Sequence, residues 1–165
     1  MYRKIALIIS LIIVLILGFI LYKKINTPQK VHLHAGFKIF VDGKLQDFSD
    51  FKYMSLVPCG DTEVKHNEQI EKAHLHDNIG TVVHVHREGA KWKDLFRNIN
   101  YSIDTSKNVE AYLNGKQINN ILDQKIKEYD SIILLIGKKP NKYLDQAVTK
   151  KEIKAVENKS ELCGT

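Results

Sequence analysis

The chain is poor in cysteine. Cys59 and Cys163 are the only two in 165 residues, and no C-x-x-C occurs, so a thioredoxin-type redox site has no support. No G-x-S-x-G, Walker A or G-x-G-x-x-G motif is present, which removes the usual signatures of nucleophile-elbow hydrolysis, P-loop nucleotide binding and dinucleotide binding. The lysines carry the net charge to +6, yet aromatic residues do not interleave with them in a stripe. Nucleic acid is therefore not the expected partner. On an anchored domain such charge favours anionic lipid or a cell-wall polymer, against the plainer reading of a solvated Lys-rich surface.

Charge itself is missing from residues 5–22, IALIISLIIVLILGFILY. About 18 apolar residues is the lower limit for spanning a ~30 Å hydrocarbon core as a helix. A cleaved signal peptide has a shorter apolar region and a small-residue cleavage site. No A-x-A-like site follows here, and Tyr22-Lys23-Lys24 is a poor cleavage context. The expectation is a single-pass anchor at 1–24 that uses 5–22 to enter the bilayer, a polar linker at 25–30, and one domain at 31–165. Lysine and arginine are nearly balanced across the span, so the positive-inside rule barely discriminates. A short N-terminal tail stays inside and a long C-terminal domain translocates, which places 31–165 outside the cytoplasm, at the cell membrane. There an even cysteine count invites a Cys59–Cys163 disulfide. Closing a loop of ~100 residues contributes on the order of 4 kcal/mol in the chain-entropy model. Free thiols, or soft ligands for Cu(I), are the alternatives.

What the chain does have is paired histidine. Of seven histidines, six fall in three H-x-H pairs: His32/His34, His74/His76 and His84/His86. Chance supplies about 0.3 such pairs at this composition, and counting matches to a template is the test of a pattern. The seventh, His66, stands alone in a polar stretch and reads as a loop residue.

Periodicity places the pairs on strands. From 31 to 41 the odd residues are Val, Leu, Ala, Phe, Ile and Val, so they face the core and His32 and His34 project from the opposite face. Asp42-Gly43 then gives a hairpin turn, with 44–48 returning. Residues 49–70 read as a long irregular loop. In AHLHDNIGTVVHVH (73–86) the histidines again share one parity, opposite Leu75, Val83 and Val85. A three-residue loop Ile79–Thr81, with Gly80 at positive φ, would set His76 opposite His84 and His74 opposite His86. Four imidazoles would then crowd one face, because cross-strand neighbours lie ~4.5–5.5 Å apart. A two-residue loop would split them between faces.

The remaining elements complete an α+β domain of mostly antiparallel hairpins with one packed amphipathic helix and a helical C-terminal tail. Trp92, Leu95, Phe96 and Ile99 form the i, i+3, i+4, i+7 stripe of that helix. Val109–Leu113, Asn114-Gly115 and 116–119 read as a second hairpin, and Ser131–Ile136 as a buried strand. In the tail, Asn141 is a candidate cap, and Thr149-x-x-Glu152 is a capping box.

Alternate residues on a strand bring two imidazoles to one side, within reach of one ion, and imidazole suits Zn, Cu, Ni and Fe. The reading is a Cu(II) or Zn(II) binding protein for metal capture, delivery or sensing, with His32, His34, His74, His76, His84 and His86 as ligands. Asp77 and Glu88 flank the pairs as ligands or as acceptors that orient a ring N–H. Six ligands suffice for one ion with spares, or for two. A His-ligated hydrolase or oxidoreductase is the competing class; it would keep an open coordination position and a general base. A metal-free acid sensor or envelope-interaction module is a third. Known H-x-H enzymes fit poorly. A cupin needs Glu four residues after the pair, whereas Glu88 follows His86 by two. A metallo-β-lactamase needs H-x-H-x-D-H, an amidohydrolase needs a barrel too large for ~135 residues, and the chain is short for a three-histidine carbonic anhydrase.

HLHAGFKIFVDG, HLHDNIGTVVHVH, KWKDLF, YLNGK and DSIILLIG together resemble an uncharacterised family of small, membrane-anchored, extracytoplasmic, paired-histidine proteins of uncultured prokaryotes. LDQAVT…CGT resembles that family's tail, with fewer cysteines. The resemblance spans most of 31–165. It implies a shared paired-histidine design and no particular activity. YLNGKQIN…YDSIILLIG also weakly resembles the end of β-grasp domains.

Overall fold

A computed structural model describes residues 2–26, 30–55 and 67–158. Cys59, Cys163 and His66, and with them the expected disulfide, lie outside the described residues, as do much of the linker and part of the 49–70 loop. Helix α1 (Tyr2–Asn26) is the apolar N-terminal segment. Its stretch Leu7–Lys24 is long and apolar enough to cross a membrane, and none of it is buried.

The domain is a mixed sheet with helices on both faces. Its strands are β1 (Lys30–Val41), β2 (Lys44–Leu45), β3 (Val82–Arg87), β4 (Val109–Leu113), β5 (Lys116–Ile118) and β6 (Ser131–Ile136); its helices are α2 (Glu68–Lys72), α3 (Trp92–Asn98) and α4 (Lys150–Glu157). The order is β2-β1-β6-β4-β5, and β3 also pairs with β1. β1 and β6 run parallel at the centre, while the other pairings are antiparallel. Gly36 pairs with both Val82 and Ser131, and Phe40 with both Leu45 and Leu135. β2 and β3 therefore share the edge of β1 that faces away from β6. At 12 residues, β1 is long enough to carry both.

Period 2 in β1 has the expected result. Ala35, Phe37 and Ile39 enter the main core with Val83 and Val85 of β3, Ile132, Leu134 and Ile136 of β6, and the α3 stripe of Trp92, Leu95, Phe96 and Ile99. β6 is buried at every residue, as suits a central strand covered on both faces. On the second face Phe40, Tyr112, Ile133 and Leu135 cluster, and Val148 and Ile153 lie on Val82. The turns Asp42-Gly43 and Asn114-Gly115 have positive φ at both residues, the combination that a two-residue type I′ hairpin requires.

Three local readings need correction. The 49–70 loop contains regular structure: a 3-10 turn at Phe51–Tyr53 and the start of α2, which Asn67 caps through its side-chain oxygen. Asn141 does not cap a helix; the 3-10 turn Leu144–Gln146 starts from Tyr143 without a side-chain cap. Gly80 is not among the positive-φ residues. Asp77 and Asn78 take the left-handed conformation instead, which Asn and Asp tolerate because their side chains hydrogen bond locally. Gly80 is needed for another reason: a Cβ there would lie 2.5 Å from the backbone of Phe48 and Ser49.

The capping box is as read. Thr149 Oγ1 accepts the Glu152 N–H at 3.2 Å, and Glu152 Oε2 accepts the Thr149 N–H at 2.6 Å. It starts α4, and Val148, just ahead of that helix, lies over β1 where the strand has no side chain. A Cβ on Gly36 would meet Val148 Cβ at 2.5 Å.

Candidate metal centre

β3 organises the histidines. On one edge His84 sits opposite His34 of β1, in register with Leu33↔Val85 and Ala35↔Val83. On its other edge His84 bridges to His74. The His74 N–H donates to the His84 carbonyl at 3.0 Å, and the His84 N–H donates to the His74 carbonyl at 2.9 Å. The pairing thus differs from the expected one by two residues: His74, not His76, lies opposite His84, and a longer connection replaces the three-residue loop. A slip of two preserves parity, and parity decides the face. All six imidazoles therefore still gather on one side.

His84 is the hub. Its ring centroid lies 3.6 Å from that of His76, 4.2 Å from His34, 6.0 Å from His74 and 6.2 Å from His32. His86 stacks between His32 at 4.9 Å and His74 at 5.2 Å. A register irregularity in the β1–β3 ladder between Lys30 and Leu33 lies beside His32. The cluster is graded in depth: His84, His34, His74 and His76 are buried, His86 is half-buried and His32 is exposed.

Two rings have their tautomer set by neighbours that only accept. His74 Nδ1 lies 3.0 Å from the Ile70 carbonyl, and His76 Nδ1 lies 2.6 Å from Asp77 Oδ2. Each Nδ1 must carry the proton in those bonds, which leaves Nε2 with its lone pair in the neutral ring. This is the outer support that metal-binding histidines commonly use. Asp77 is thus the hydrogen-bond partner of the His76 ring. Glu88 is exposed in the turn after β3 and joins neither ligand group described below.

The two deepest rings are different. No hydrogen bond reaches either nitrogen of His34 or of His84, nor Nε2 of His86. A buried donor or acceptor left unsatisfied costs roughly 1–3 kcal/mol. Burial also opposes their protonation. The His34 pKa is lowered to about 4, first by burial and then by its histidine neighbours, His32 foremost. That of His84 lies far below the ordinary value for the same reasons, burial first and then His76. Both rings are thus neutral at pH 7 with free lone pairs, the state a metal ligand needs.

Among the described residues, two groups of donors converge closely enough to hold an ion. His32, His84 and His86 present ligand nitrogens within 4.8 Å of one another, and His34, Glu128 and Glu157 present theirs within the same limit. Two nitrogens on one tetrahedral ion at 2.0–2.1 Å are roughly 3.3 Å apart, so modest side-chain rotation would close either group. Sequence reasoning missed Glu128 and Glu157. Glu128 precedes β6 and reaches His34 through the parallel β1–β6 pairing; Glu157 arrives on the last turn of α4. Neither lies near a histidine in sequence.

Comparison of the chain with family models, with curated proteins and with solved structures gives no match.

Proposed function

We propose that this chain is a membrane-anchored, extracytoplasmic protein that binds Cu(II) or Zn(II) on its paired-histidine sheet, for metal capture, delivery or sensing. The observation that carries the reading is the pair of buried histidines, His34 and His84, whose four ring nitrogens have no hydrogen-bond partner amid four further imidazoles. A structural histidine would satisfy at least one nitrogen. A ligand histidine keeps one free for the ion. The His32/His84/His86 group runs from the exposed surface to this floor, which gives an ion a way in. The all-imidazole donor set favours copper and zinc. α1 supports anchoring by its length and composition. The parallel β1–β6 pair with hairpins towards both edges supports the β-grasp resemblance of the C-terminal part.

The test is a calorimetric titration of the full chain in detergent, stripped with chelator, against Cu(II) and Zn(II), beside a His32→Ala/His86→Ala variant. The wild type should bind at least one ion with sub-micromolar affinity. The variant should lose more than the about 10–100-fold that disturbing an outer-shell partner costs. Equal affinity in the two proteins, or no binding tighter than micromolar, would overturn the assignment in favour of a metal-free role.

A further inference from the structure

The second donor group adjoins the histidine cluster through His34 but has different chemistry. His34 comes from β1, Glu128 from the turn entering β6, and Glu157 from the end of α4. One imidazole and two carboxylates present ligand atoms within 4.8 Å of one another. An acidic pair alone would say little, since such pairs are common on surfaces. Here the third member is a side chain only 1 % exposed, with no hydrogen bond to either ring nitrogen. The backbone holds it in place: the Tyr129 N–H donates to the His34 carbonyl at 2.8 Å. Tyr129 Oη donates to Glu157 Oε2 at 3.0 Å, which draws that carboxylate towards the same spot.

The two carboxylates also oppose one another. One oxygen of each lies within 4.8 Å of the other, so their like charges repel. The Lys150 ammonium sits 4.4 Å over the Tyr129 ring, and that of Lys154 5.4 Å over it. A divalent cation between the glutamates would relieve the repulsion and satisfy His34 together.

We infer that His34, Glu128 and Glu157 form a second metal site, for a harder divalent ion such as Mn(II), that clasps helix α4 to the sheet. This rests on the metal reading above and shares His34 with it; Glu128 and Glu157 are its own ligands. Mixed nitrogen and carboxylate donors suit Mn(II), whereas an imidazole-only cluster holds it weakly, since Mn(II) stands lowest in the divalent series. The clasp has mechanical content as well. α4 has eight residues, and of these Ile153 and Val156 supply its apolar footing in the cluster around Val82. Glu157 is its last residue, so an ion there would fix the end that the Thr149 capping box does not.

The experiment titrates Mn(II) into the chelator-stripped full chain in detergent, read by electron paramagnetic resonance, with hydrogen exchange of the α4 amides measured in parallel. Three proteins are compared: wild type, Glu128→Gln/Glu157→Gln, and His32→Ala/His86→Ala. Mn(II) should bind the wild type and the histidine variant alike, and at least tenfold more weakly to the glutamine variant. Exchange of the α4 amides should slow at least fivefold with Mn(II) wherever both glutamates are present. Circular dichroism checks that the glutamine variant is folded; the substitutions are nearly isosteric. If the Cu(II) and Zn(II) titrations fail while Mn(II) binds in this pattern, the first reading falls and this one stands. Equal Mn(II) binding in the glutamine variant, or α4 exchange that does not respond to Mn(II), would overturn the inference.

Discussion

Three consecutive residues of β3 are equally buried and chemically opposed: Val83 is 0 %, His84 0 % and Val85 1 % exposed. The valines point into the main apolar core. His84 points to the other face and meets four imidazoles. The same contrast runs through 73–76, where Ala73 and Leu75 join the core and His74 and His76 join the cluster. Burial is thus no guide to what a residue contributes here. On one face it stabilises the fold; on the other it creates unsatisfied lone pairs whose cost the fold must carry.

Mutation can sharpen this comparison. The largest effect is expected on the dry face: Leu75→Ala should destabilise by about 2–5 kcal/mol, seen as a lower urea midpoint with metal present or absent. Next comes acid. In the metal-free chain the folded state holds His34 neutral, with a pKa of about 4 against 6.5 for the ordinary group. Between those values the unfolded chain binds more protons. Stability is therefore complete above pH 6.5 and falls as pH drops towards 4, by up to about 1.4 kcal/mol per pH unit for this histidine. Denaturation midpoints across pH 4–8 in chelator would show it; a flat profile would mean that His34 is not shielded from water.

The third effect has the opposite sign. His84→Leu replaces an unsatisfied ring by a wholly apolar side chain, so the metal-free protein should gain about 1 kcal/mol, a rise in Tm of about 2–4 °C. Its affinity for Cu(II) or Zn(II) should collapse at the same time. A variant that loses stability would show that His84 is an ordinary packing residue, and the contrast between the faces would fail. The smallest is Thr149→Ala, which removes one arm of the capping box. It should cost about 1 kcal/mol, detected as faster hydrogen exchange in α4 with little change at Leu75.

Much of this contrast was legible in the residues. The alternation in 31–41 assigned both faces of β1, and an odd-length connection would bring His74, His76, His84 and His86 to one face; that His32 and His34 join them follows from the pairing of β1 with β3. Val109–Leu113 and Ser131–Ile136 are strands at the bounds read from their apolar runs. These signals are local, and the backbone obeys them residue by residue. The register of His74 against His84 was not legible. It depends on two left-handed residues, Asp77 and Asn78, and on Gly80 passing tightly against Phe48 and Ser49, a contact more than thirty positions away in sequence. Glu128 and Glu157 escaped for the same reason. Their approach to His34 needs the parallel pairing of the first and last strands, and then Val148 seated on Gly36 to bring α4 over the sheet, and neither event has a periodic signature.

The short passage from α1 into β1 sets a leash. Six residues carry the chain from Asn26, the end of the helix, to His32, the exposed member of the cluster. Fully extended, they reach no more than about 20 Å. With α1 embedded, the histidines would patrol a thin shell over the lipid headgroups. An ion caught there would then travel with its carrier in two dimensions, and it could pass to another membrane protein by lateral collision.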